Sequence, residues 1–112
     1  MRILVTVKPR MYREAIGLAL HKHRPDAEVL LAAPEFLDGQ ADSFAPHVLL
    51  RNDTDGEAPG DRESVVCRIE VLFSDGLGAR ISLDGRVWNI EDISTDDMVA
   101  ILEEVEGLIG SR

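Results

Sequence analysis

Two short polar stretches carry the strongest hint of chemistry in this sequence. Lys8 and Arg10 follow the apolar run RILVTV at 2–7, and Arg51 and Asn52 follow HVLL at 47–50. If both runs are parallel strands, their carboxyl ends lie on one edge of a sheet, where open α/β sheets bind ligands. Lys8, Arg10, Arg51 and Asn52, with Thr6 beside them, would then gather into a basic cluster suited to a phosphate or a carboxylate. The competing reading is that these cations face water or pair with the acidic loop after Asn52.

Other candidates fail on spacing. Cys67 is the only cysteine, which excludes an internal disulfide and a cysteine-rich metal site. It falls on the apolar side of an alternating run with Val65 and Ile69, so it reads as a small buried hydrophobe and not a nucleophile. Asp53-Thr54-Asp55-Gly56 looks like the start of a calcium loop. With Gly56 as its sixth residue, however, the first and twelfth positions fall on Arg51 and Arg62, and cations cannot ligate calcium. His21 and His23 point to different faces of a predicted helix, and His47 opens a strand, so no pair has the spacing of a helical metal site. Lys8-Pro9-Arg10-Met11 lacks the glycines of a phosphate loop. Ser74, Ser82 and Ser94 lie in no nucleophile elbow. No catalytic residue, metal ligand or cofactor is predicted.

The elements that would position these residues follow from periodicity. Arg2–Val7 is a β-branched run that fits a strand buried on both faces, ended by Pro9. Tyr12, Ala15, Ile16, Ala19 and Leu20 form one stripe of a helix over 10–23, which Arg24-Pro25 stops. EVLLA at 28–32 is a second strand of the buried type. A short helix is placed within 34–43 and a third strand at 47–51. Strand–helix–strand–helix–strand favours a parallel sheet with right-handed crossovers. Residues 52–63 form a loop between two halves of one domain, 1–51 and 64–112.

The second half reads as a β-meander closed by a helix. In Ser64–Ser74, residues Val65, Cys67, Ile69, Val71 and Phe73 share one face. A three-residue loop, Asp75-Gly76-Leu77, would pair Phe73 with Ala79 and Val71 with Ile81. Asp84-Gly85 is a two-residue hairpin signal that pairs Leu83 with Arg86, Ile81 with Trp88 and Ala79 with Ile90. Trp88 is thereby placed on the core face. Ser94 or Thr95 caps a last helix, whose buried stripe is Met98, Ile101, Leu102, Val105 and Leu108. The fold class is α/β: a parallel β-α-β-α-β half, an antiparallel meander and a C-terminal helix.

Composition narrows the function. The chain of 112 residues has 12 basic and 21 acidic side chains, a formal charge of −9, and 45% hydrophobic residues. An acidic surface repels phosphate backbones, which disfavours nucleic-acid binding. Residues 1–34 nevertheless carry six basic and three acidic groups, a local excess of cations. No apolar run reaches the roughly 18 residues of a membrane span, and the first residues lack the layout of a signal peptide. A cytoplasmic location is the resulting expectation.

Residues 2–51 resemble the start of a response-regulator receiver domain. The likeness lies in RILVTV, the helix after it, Arg24-Pro25-Asp26-Ala27-Glu28-Val29 and Ala45-Pro46-His47-Val48-Leu49-Leu50. The resemblance implies a flavodoxin-like sheet. Receivers hold magnesium with an acidic pair after the first strand, where this chain has Val7-Lys8. They phosphorylate an aspartate after the third strand, where this chain has Arg51 and Asn52. The rest of the receiver is replaced by a hairpin and helix. ILVTVK is also similar to the start of electron-transfer flavoprotein β-subunits, but the chain is too short for their nucleotide site.

The resulting expectation is a non-catalytic binding or regulatory module of pseudo-receiver type, without phosphoacceptor or metal site. It would self-associate as a homodimer, with a further protein partner possible, because the meander leaves apolar residues and strand edges uncovered. The alternative is a small-anion binder or enzyme using Lys8, Arg10, Arg51 and Asn52.

Overall fold

Leucine- and β-branched-rich runs form the centre of the sheet. The computed structural model describes residues 1–33, 35, 39, 43–52, 65–72 and 78–110. The strands are β1 (Arg2–Val5), β2 (Glu28–Leu31), β3 (Val48–Asn52), β4 (Cys67–Leu72), β5 (Gly78–Leu83) and β6 (Arg86–Ile90). The helices with described bounds are α1 (Arg10–His23) and α2 (Thr95–Gly110). The strands make one six-stranded sheet in the order β2-β1-β3-β4-β5-β6. The first four are parallel, and β5 and β6 are antiparallel additions. The mixed α/β class and the closing helix are as the sequence predicts.

Register sorts the side chains into two layers. One row across the sheet is Leu31, Val5, Leu50, Ile69, Ile81 and Trp88. Its central members belong to the main core with Ile16 and Leu20 of α1 and Met98, Ile101, Leu102 and Val105 of α2. Both helices thus cover the same face. The opposite face carries a smaller cluster, Leu4 and Leu49, with Leu30, Ala32, Phe44 and Val65 against it. Towards β6 that face turns polar: Arg51, Glu70, Arg80 and Asn89 stand in register. Opposite charges directly across a sheet are mildly stabilising.

α2 begins on a capping box. The Ser94 hydroxyl accepts the Asp97 N–H at 3.2 Å, and the Asp97 carboxylate accepts the Ser94 N–H at 2.9 Å. This selects Ser94 over Thr95 as the cap. α1 starts after Pro9 with no side-chain cap and no acid in its first turn. An Arg24–Glu106 ion pair ties α1's end to α2.

Several expectations are corrected. β2 is an edge strand, not one buried on both faces, and Leu31 is 38% exposed. Ala15 faces solvent, while Gly17 is buried where an added Cβ would sit 2.7 Å from Leu31. The missing side chain lets α1 lie close to β2. The predicted pairing of Val71 with Ile81 is wrong: Val71 pairs with Ala79, and Ile69 with Ile81. Val65 lies on the Leu4–Leu49 side, because both Val66 and Cys67 donate their N–H to the His47 carbonyl. Two residues opposite one is the signature of a bulge, and it breaks the alternation at the strand's start. Asn52 is the last residue of β3, paired with Val71, and not the first residue of a loop. The second hairpin has the predicted pairs throughout. Trp88 packs against the core, but at the edge strand it is only half-buried. The predicted helix within 34–43 falls largely outside the described residues, as do the loop at 53–64, Phe73 and the turn at 75–77.

Candidate functional site

The carboxyl ends of β1 and β3 meet at the point where the sheet's strand order reverses. From β1 the chain goes to β2 on one side, and from β2 it crosses back to β3 on the other. Such switch points are where open α/β sheets hold ligands. Thr6 extends the ladder past β1: its N–H donates to the Leu50 carbonyl at 2.9 Å, and its hydroxyl donates to the same oxygen at 3.3 Å. One step on, the Asn52 carboxamide oxygen accepts the Lys8 N–H at 2.6 Å. The following Lys8–Pro9 peptide is cis. Thr6 and Asn52 are fully buried.

The four predicted residues do not converge. Lys8 and Asn52 are joined, through the backbone of Lys8 and the side chain of Asn52. Arg10 is exposed and holds Glu14 one turn along α1 at 2.9 Å. Arg51 precedes Asn52 in the same strand, so the pleat sends the two side chains to opposite faces. Asn52 lies on the helical side in register with Val71, whereas Arg51 lies on the other side in register with Glu70. Arg51 is 1% exposed, and its Nε donates to the Asn52 carbonyl at 3.2 Å. The pleat would have separated these two at once, had β3 been read as extending to Asn52.

One polar atom at this edge stands out. The Asn52 side-chain nitrogen is buried and has no hydrogen-bond partner. Beside it begins the uncapped helix α1. A groove of about 270 Å³, lined by Arg10, Arg13, Glu14, Leu31, Ala32 and Ala33, runs between α1 and the end of β2.

A second polar tie, not anticipated from the sequence, closes the amino end of the sheet. His47 Nδ1 accepts the Arg2 N–H at 3.0 Å, and the His47 N–H donates to the Arg2 carbonyl at 2.9 Å. Burial, the Arg2 guanidinium and the amino terminus hold the imidazole pKa below its usual value, which keeps that nitrogen an acceptor. Cys67 is 1% exposed, and burial, with the Glu104 carboxylate adding to it, pushes its thiol up to about 12. Among the described residues, no group of three His, Cys, Asp or Glu side chains is placed to hold a metal, and no helix is long and apolar enough to cross a membrane. No family model, curated protein or solved structure matches the chain.

Proposed function

We propose that the chain is a non-catalytic binding or regulatory module, of degenerate receiver type, that acts as a self-associated pair. The observation that carries this reading is the Asn52–Lys8 hydrogen bond. A receiver uses the ends of its first and third strands to hold magnesium and a phosphorylated aspartate. Here the same two ends are tied to each other by a neutral carboxamide. The parallel order β2-β1-β3-β4 supports the flavodoxin-like comparison. The outer edge of β6, beyond which no described strand lies, supports a role in contacts with protein. Light scattering over a wide concentration range is the test. The expected mass rises from 12.4 kDa towards about twice that value. A constant 12.4 kDa would remove self-association from the reading.

The unpartnered Asn52 nitrogen favours a second reading, an oxyanion site at the start of α1. Free N–H groups at a helix start, with no acid in the first turn, attract anions. Titration with inorganic phosphate, followed by NMR, separates the two readings. Saturable shifts of the Asn52 side-chain amide and the Met11 N–H would support the site, and their absence would dismiss it.

A further inference from the structure

The self-association proposed above needs a surface, and the strongest candidate is the outer edge of β6. No described strand lies beyond β6 in the sheet. Val87 is 64% exposed, and Asn89 faces solvent. The Asp84-Gly85 turn has positive φ at both residues, 49° and 84°, as a type I′ turn requires. In such a turn the residue after it donates its N–H back across the hairpin. Arg86, and by alternation Trp88 and Ile90, therefore direct their backbone groups at β5. Val87 and Asn89 direct theirs outward. The Val87-Trp88-Asn89 segment contains none of the devices that blunt an edge: no charge, no proline and no bulge.

Charge identifies the occupant. β6 begins with a cation, Arg86, and is followed at once by two exposed acids, Glu91 and Asp92. Reversing the direction of such a strand reverses its charge polarity, so it is complementary to an antiparallel copy of itself. We propose that two chains pair β6 to β6, antiparallel about a two-fold axis, with Arg86 of each copy beside Glu91 and Asp92 of the other. The outward N–H and C=O groups of Val87 and Asn89 supply the ladder. Half-buried Trp88 and Ile90 lie on one side of the seam, and Val87 on the other. Within the chain Arg86 lies over the Trp88 ring, 5.6 Å from its centroid, and pairs with Glu104 at 3.7 Å, with its own side chain 60% exposed. The other edge lacks this complementarity: β2 starts with Glu28, and Ala32 and Ala33 follow it. An unrelated partner strand would have no reason to match the polarity of β6.

This inference rests on self-association, and the test separates the two. Light scattering on the full chain is repeated with Asn89→Pro, which removes an outward N–H and leaves the bonds to β5 in place. Val87→Glu places an acid on the same edge, at an already exposed position and at the end that meets Glu91 and Asp92 of the other copy, so it decides the matter if the proline variant does not fold by circular dichroism. Both variants are expected to stay at 12.4 kDa where the parent chain has about twice that mass. Glu91→Arg should weaken the pair about ten-fold at low salt, and adding Arg86→Glu should restore it. A folded Asn89→Pro or Val87→Glu variant that dimerises like the parent would place the interface elsewhere, overturning the β6 seam but not self-association. A parent chain that remains at 12.4 kDa throughout would overturn both.

Discussion

Replacing Ile81 by alanine is expected to lower the unfolding free energy by about 4 kcal/mol, within the usual range for emptying a buried isoleucine site. Ile81 has no exposed surface and pairs with Ile69 on one side and Trp88 on the other. It lies in the layer shared by the sheet and both helices. The site has little freedom to collapse, because β5 is held by ladders on both edges. Set against a total stability of roughly 5–15 kcal/mol, the loss is large. Leu18 is the control, since it is exposed on the outer side of α1. Leu18→Ala should change stability by less than about 0.5 kcal/mol. Urea denaturation of the three proteins reads both values. Equal effects at the two positions would mean that the helices do not cover the Ile81 face.

The Cys67 thiol is expected to be almost inert in the folded chain. Its pKa is pushed up to about 12 by burial and by Glu104, and only the thiolate attacks disulfide reagents. Labelling by a disulfide reagent at neutral pH should be at least about a thousand-fold slower than in the urea-unfolded chain, from thiolate fraction alone. The same shift links stability to alkaline pH. The unfolded thiol loses its proton near its ordinary value of 9.0, whereas the folded one keeps it to about 12. Between those limits the folded state binds more protons, so stability falls as pH rises. Below pH 9 this contribution is fully present. Fast stoichiometric labelling of the native chain would contradict the buried placement.

Where the sequence reading succeeds and fails has physical causes. The Asp84-Gly85 hairpin could be registered because two residues with positive φ leave one way to close the turn. At the hairpin between β4 and β5 the Asp75-Gly76 signal left the loop length open, and alternation was the guide to it. Alternation fixes the register modulo two, since a slip of two residues keeps every side chain on its face. The predicted pairing of Val71 with Ile81 differs from the observed Val71–Ala79 by such a slip, so the core membership of Cys67, Ile69, Val71 and Ile81 was legible while their partners were not. At the candidate site, the choice of strand ends was legible from the parallel pattern. The separation of Arg51 from Asn52 was not, because the third strand was ended at Arg51 and Asn52 was assigned to the loop. Once Asn52 belongs to β3, the pleat separates them. The Asn52–Lys8 and His47–Arg2 ties join residues more than 40 positions apart and leave no local trace in the sequence.

Phosphoryl transfer at the carboxyl edge of the sheet is the activity that most directly opposes a purely binding role. It is tested by incubating the full chain with acetyl phosphate and magnesium, followed by intact-mass and peptide spectra. With the ends of β1 and β3 joined through Lys8 and Asn52, the expected product is the unmodified chain of 12.4 kDa. A phosphoryl adduct mapped to an aspartate would contradict the non-catalytic reading.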